Sequence, residues 1–216
     1  MEVRLDLNRK SRKGFSEIIF CEGKSDKQLL GIAEEIKANK LDTAFSRMNE
    51  SQFCTVTSVI RDFKYDPVSR VGQTLFGTIV KNKAIIAVVS AGSTDVPVAE
   101  EAAQIIDFFG SNAERFYDVG VAGIHRLFEV LEDIRKADVV IVAAGMDGAL
   151  PSVVSGLVPS LVIGLPTSVG YGIAEKGKTA LRSMLCSCSP GLVVVNIDNG
   201  VGAALSALAA AKINRL

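Results

Sequence analysis

The sequence predicts an α/β protein in two unequal parts: a small α+β N-terminal domain over residues 1–75 and a three-layer αβα parallel-sheet domain over residues 76–216. Three observations carry this expectation. From residue 84 the chain repeats one pattern, a short apolar run, a turn rich in Gly, Pro and Asp, then a longer helical stretch, which is the mark of βαβ units. The apolar runs are continuous rather than alternating, as parallel strands buried on both faces require. The residues before them lack that pattern, and a charged connector, RDFKYDPVSRVG (61–72), leads from one part to the other.

Taken in order, FSEIIF (15–20) reads as a strand and SDKQLLGIAEEIKANK (25–40) as a helix, with Ser25 as its N-cap and Asp26 in its first turn. FSRM (45–48) and FCTVTSVI (53–60) look like short strands. The parallel strands are expected at AIIAVVS (84–90), RFYDVG (115–120), DVVIVAAG (138–145), SLVIGLP (160–166) and GLVVVNID (191–198). Helices are expected between them, as at IHRLFEVLEDIRKA (124–137), where Ile124, Leu127, Phe128, Leu131 and Ile134 recur at helical spacing. The Ala-rich GAALSALAAAKINRL (202–216) closes the chain as a helix whose small side chains permit close approach, and burial at subunit contacts is expected for it.

Composition narrows the function. Lys plus Arg equals Asp plus Glu at 24 each, so no general field draws the chain to nucleic acid or an anionic membrane. The N-terminus is charged and no apolar run is long enough to span a bilayer, so a cytoplasmic protein is expected. Cys21, Cys54, Cys186 and Cys188 form no Cys-x-x-Cys, and the only imidazole is His125, which argues for reduced thiols and against structural zinc. Cys186 and Cys21 are expected to be small buried hydrophobes.

Ligands of an open parallel sheet bind outside the carboxyl ends of its strands. Here those turns are residues 90–95, 120–126, 145–148, 166–172 and 198–202, and they hold Asp95, Asp147, Asp198 and His125. Two motifs nearby mislead. GIAEKGKT (172–179) matches the P-loop expression, but PTSVGY separates it from its strand and Glu175 would face the phosphates. Gly200-Val201-Gly202 imitates a dinucleotide fingerprint, but Leu205 replaces the third glycine and no strand follows to supply the ribose-binding acid.

The segments SAGSTDVPVAEEAAQIIDFFG, GIHRL and VIVAAGMDGALPSVVSGL resemble the PurE-like, flavodoxin-like domain of aminoimidazole ribonucleotide carboxylases and mutases, with Thr94 in place of a serine and GIHR in place of Ala-His-Arg. A resemblance covering nearly the whole chain is to the LarB family, the pyridinium-3,5-biscarboxylic acid mononucleotide synthases. It rests on GFSEIIFCEGKS, FSRMNE, AGMDGALPSVVSGL, PTSVGYG and SCSPGLVVVNIDNGVGAA. The resemblance implies carboxylation of the pyridinium ring of nicotinic acid adenine dinucleotide at C5 and hydrolysis of its phosphoanhydride. AMP is released, and the product serves nickel-pincer cofactor synthesis for lactate racemase and related enzymes. It also implies a homo-octamer.

An electron-poor pyridinium cannot attack carbon dioxide until a nucleophile adds to it. Cys188, matching the family's Ser-Cys-x-Pro-Gly segment, is expected to supply that thiolate, Asp147 the base, and His125 a further catalytic group. Gly92, Ser93, Thr94, Asp95 and Arg126, then Gly145, Met146 and Gly148, then Asp198, Asn199 and Gly200 are expected to bind substrate, together with Lys24 and Arg47 for its anionic groups. No tightly bound cofactor is expected; a magnesium ion travelling with the substrate's phosphates is compatible with the hydrolysis. Carbon dioxide or bicarbonate is the second substrate that the resemblance implies. Two other readings stand beside this one: a purine-pathway carboxylase or mutase, whose aminoimidazole is already enamine-like and needs no thiol, and a non-enzymatic nucleotide-binding regulator.

Overall fold

The computed structural model describes residues 4–213, and the chain divides into two compact units, Met1–Val80 and Lys81–Leu216. In the first, strands β1 (Ile18–Phe20), β2 (Thr43–Ser46), β3 (Lys64–Asp66) and β4 (Val71–Thr74) form a sheet of order β1-β2-β4-β3. The β1–β2 pair is parallel and the other pairs are antiparallel. Helices α1 (Arg9–Lys13), α2 (Asp26–Asn39) and α3 (Glu50–Thr57) complete the unit. Ser25 caps α2 as expected, in a reciprocal box with Gln28.

Two expectations fail here. FCTVTSVI is not a strand, because Asn49 and Gln52 form a second capping box that starts α3, and burial of Val56 beside the Phe45–Phe63 ring pair overrides the β-branched preference. The charged connector is not a linker but the β3–β4 hairpin. Its turn is closed by the Ser69 amide and hydroxyl, which donate to Asp66 Oδ2 at 2.8 and 2.5 Å.

The second unit carries β5 (Ile85–Ser90), β6 (Asn112–Phe116), β7 (Val139–Ala144), β8 (Leu161–Pro166) and β9 (Leu192–Val194), all parallel, in the order β6-β5-β7-β8-β9. Between them run α4 (Val96–Phe108), α5 (Ile124–Ile134), α6 (Leu150–Ser155) and α7 (Lys178–Leu185), with α8 (Gly200–Ile213) last. Alternate residues Ala87, Val89, Val140, Val142 and Val162 pack on Leu127, Ile134, Leu150, Val154, Ala180 and Met184 of α5, α6 and α7. Helices α4 and α8 cover the other face. This is a three-layer αβα fold, and all six residues of β7 are buried, as its unbroken apolar run requires.

Helix α8 uses its small residues within the chain. Ala203, Ala204, Ala207 and Ala211 are buried, which lets the helix lie close on α4 and the sheet, so their smallness is explained without a subunit contact. The part of this expected helix at residues 214–216 lies outside the described residues. Strand β9 ends at Val194, short of the expected residue 198. Among the described residues no helix is long and apolar enough to cross a membrane.

Candidate active site

The strand order reverses at β5, so the crevice of the second unit opens where the turns after β5 and β7 diverge. Three hydrogen bonds tie these turns to their neighbours, and a fourth braces the turn after β5 from within. Thr167, just past β8, donates its hydroxyl to Asp95 Oδ1 at 2.6 Å, and the Gly92 amide donates to Asp95 Oδ2 at 2.9 Å. The Met146 amide donates to the Val169 carbonyl at 2.9 Å, and the Ser168 amide to Asp198 Oδ1 at 2.8 Å. The loops after β5, β7 and β8 and the segment after β9 are thereby locked into one rim.

Asp95 is the keystone of that rim rather than a free acid. Its side chain is buried, which pushes its carboxyl above the usual range, while the Thr167 and backbone donors pull the other way. Ser93 and Thr94 of the 3₁₀ turn before α4 are exposed beside it, as substrate contacts would need. Asp147 and Met146 are exposed on the β7 turn, with Met146 in the left-handed region at φ 50°. Gly145 is forced by close approach, since a Cβ there would lie 2.4 Å from the Val169 carbonyl and 2.7 Å from Thr167 Oγ1. Gly148 is buried against Ala180.

On the β6 side, the Asp118 amide donates to Ser90 Oγ at 3.1 Å, and Asp118 Oδ2 accepts from Arg126 Nη1 at 2.5 Å. Arg126 is thus held at the rim with His125 exposed next to it in the first turn of α5. Asn199 turns its side-chain oxygen to the Gly202 amide at 2.8 Å, capping the start of α8. Gly200 is buried, and a Cβ there would lie 2.6 Å from Glu101 Oε2, so close packing on α4 accounts for it.

Cys188 stands elsewhere. Helix α7 leaves the rim and runs back under the sheet, so the segment between it and β9 returns to the amino end of the strands. The contacts agree: the Gly191 carbonyl accepts from Val162 at the start of β8, and Ser189 Oγ donates to the Ser152 carbonyl at 2.7 Å. A strand the length of β8 places roughly 17 Å between the two edges. One chain therefore does not bring Cys188 to Asp147, Asp95 or His125. Cys188 is exposed, and so is Cys186, which corrects the expectation of a buried thiol: Cys186 is the C-cap of α7, beyond the last turn that faces the core. Cys21 is buried as expected, and burial pushes its thiol up to about 12.

In the first unit, Lys24 and Arg47 follow the parallel strands β1 and β2 and so share one sheet edge. Arg47 Nη1 pairs with Glu22 Oε2 at 3.2 Å, and its guanidinium carbon lies 5.3 Å from the centroid of the exposed Phe20 ring. Arg70, which the sequence did not single out, joins this edge by donating to the carbonyls of Met48 and Arg47 at 3.1 and 3.0 Å. Among the described residues no group of three His, Cys, Asp or Glu side chains is placed to hold a metal ion.

Comparison with known proteins gives this geometry a family. A model described as the LarB/PurE-like N-terminal domain matches residues 2–75, and one described as AIR carboxylase matches residues 85–216. An uncharacterized protein of Methanocaldococcus jannaschii is 40% identical over 225 residues, covering 98% of this chain and 84% of that protein. An N5-carboxyaminoimidazole ribonucleotide mutase of the same organism is 36% identical over 57% of this chain and 76% of its own length. Its counterpart from Pyrococcus horikoshii is 30% identical, over 58% and 71%. The crystal structure of a PurE2 variant from Treponema denticola covers 62% of this chain and 90% of that chain at 19% identity, with a TM-score of 0.48. With a LarB-type N-terminal domain ahead of an AIR carboxylase domain, the chain belongs to the LarB family of PurE-like carboxylases and mutases.

Proposed function

We propose that this carboxylase-type enzyme carboxylates the pyridinium ring of nicotinic acid adenine dinucleotide at C5 and hydrolyses the phosphoanhydride to release AMP, in a site that two copies of the chain complete. The observation that carries the reading is the exposed thiol of Cys188, for which an aminoimidazole substrate has no use. The Cys188 thiolate adds to ring C4, forming a C–S bond and leaving C5 as the nucleophilic carbon of an enamine. C5 bonds to carbon dioxide, Asp147 removes the C5 proton, and expulsion of the thiolate from C4 restores the aromatic cation.

Because Cys188 and Asp147 lie on opposite edges of one sheet, the thiol that meets the Asp147 edge belongs to a neighbouring copy. The distribution of exposed apolar side chains supports such a head-to-tail contact. Leu185 and Val193, 65% and 47% exposed, lie on either side of Cys188 in sequence, while Met146 precedes Asp147 and Ile173 lies on the loop after β8, at 43% and 85%. An octamer, as in the family resemblance, would repeat the contact around a closed ring. His125, Arg126, Ser93 and Thr94 serve the ring's carboxylate and the ribose, next to the substrate's diphosphate. A magnesium ion would arrive on those phosphates, since the acids of the rim are spread over separate loops.

The test is mass spectrometry of products from wild type and Cys188→Ala with nicotinic acid adenine dinucleotide, bicarbonate and magnesium. AMP and a mononucleotide heavier by one carboxyl group are expected from wild type alone. Turnover of aminoimidazole ribonucleotide by both proteins, with the dinucleotide untouched, would favour the mutase reading suggested by the two archaeal relatives.

A further inference from the structure

We propose that Tyr171 is the aromatic wall on which the substrate's cationic ring stacks beside Asp147; the inference rests on the pyridinium reading above and assigns the ring its binding surface. Tyr171 is 81% exposed, an unusual position for a large aromatic side chain in a tightly built rim. Its place is fixed by what precedes and follows it. Thr167 and Ser168 are bound to Asp95 and Asp198, the Val169 carbonyl accepts from the Met146 amide, and Thr179 Oγ1 donates to the Ile173 carbonyl at 2.5 Å. A Cβ on Gly170 would lie 3.3 Å from Met146 Sδ, so the residue just before Tyr171 touches the residue just before Asp147.

Two non-glycine residues of this loop, Glu175 and Lys176, carry backbone strain, while its glycines adopt positive φ freely. Gly170 and Gly172 have φ of 141° and 57°, and Glu175 and Lys176 both occupy the left-handed region, at φ 48° and 54°. Left-handed residues without glycine's freedom gather where a loop must present a group to a ligand. The group this loop presents is a phenol, one residue on from the Gly170 position that faces the Met146 thioether.

A pyridinium has an electron-poor face and acidic edges. Its face is attracted to the negative face of a phenol ring, and its C–H edge to a carboxylate. The attraction also has a direction along the reaction. Addition of the thiolate removes the ring's positive charge, so Tyr171 holds the substrate before addition more strongly than the adduct after it. Tyr171 therefore contributes to binding, and its removal is expected to raise KM without lowering kcat.

The test is calorimetric titration of the full chain, in a Cys188→Ala background that keeps the ring unmodified. The two probes are nicotinic acid adenine dinucleotide and the same compound after dithionite reduction of its ring to the neutral dihydropyridine. Tyr171→Ala is expected to weaken the cationic form about tenfold and the neutral form hardly at all, while Tyr171→Phe keeps the preference. Equal weakening of both forms, or none, overturns the stacking role and leaves dinucleotide recognition standing. A native mass that falls in Tyr171→Ala, with unchanged affinity, overturns it in favour of a contact between copies. Failure of both forms to bind the Tyr171-containing protein defeats the pyridinium reading and the stacking with it.

Discussion

A site shared between copies makes a quantitative prediction that a site within one chain does not. Asp147→Asn and Cys188→Ala each change one exposed side chain, so both variants should fold and each alone should be inactive in carboxylation. Mixed before assembly, every head-to-tail contact draws its rim from one chain and its thiol from the next. In an equal mixture half of the rims carry Asp147 and half of the thiol edges carry Cys188, so about one quarter of the sites are whole. Activity should follow the product of the two fractions and peak at the equal mixture. A complementary arm mixes wild type with the double variant: about one quarter of wild-type activity is expected if two copies share the site, against about half if each chain holds its own. The assay is carboxylated mononucleotide per chain by mass spectrometry, after the chains are coexpressed or unfolded and refolded together. Background activity at every ratio of the single variants would refute the shared site and, with it, the pairing of Asp147 with Cys188.

Two further outcomes test the architecture. Thr167→Val removes a donor from the buried carboxylate of Asp95 and should lower stability by about 2 kcal/mol at pH 8 in urea unfolding followed by circular dichroism. Asp95 has its folded value raised above its ordinary 3.8, so its share of stability is fully present below that value and is lost as pH rises through the folded one. Losing the Thr167 donor raises the folded value further, so the deficit should be smaller near pH 4, and an equal deficit at both pH values would count against this account. Alkylation of the native protein with iodoacetamide should modify Cys54, Cys186 and Cys188 and spare Cys21, whose thiol is buried and pushed up to about 12. Labelling of Cys21 at the rate of the other three before unfolding would show that the first unit is not packed as described.

The parallel sheet was legible because burial on both faces leaves nothing but apolar residues, as in VVIVAA of β7, and such a run has one common explanation in a βαβ chain. Helix α3 was not, because its Thr and Val residues suit a strand, and only the Asn49–Gln52 spacing, three residues apart, betrayed a helix start. The β3–β4 turn also left a trace, an Asp-Pro followed by Ser69, inside a segment that charge alone made look like a linker. The residues of the rim could be named one strand end at a time. Their mutual geometry could not, since the Thr167–Asp95 bond joins groups 72 residues apart through loops with no shared periodicity.

The position of Cys188 shows most clearly what motif and topology each contribute. Its neighbours in sequence, SCSPG and then VVVNID, resemble one family segment, and resemblance alone would gather the thiol, Asp147 and Asp198 into one site. The βαβ rule separates them: a residue between a helix and the strand that follows must lie at the amino edge, whereas the ligand crevice lies at the carboxyl edge. Asp198, at the far end of the same segment, does return to the crevice, where it accepts from the Ser168 amide. So a stretch of about ten residues spans the full depth of the sheet and presents chemistry at both ends. If both ends serve one reaction, each chain is half of two sites, and assembly becomes a condition of catalysis rather than an aid to stability. The exposed apolar residues that flank Cys188 and Asp147 then have a purpose, since they would exclude water from the enamine while it waits for carbon dioxide.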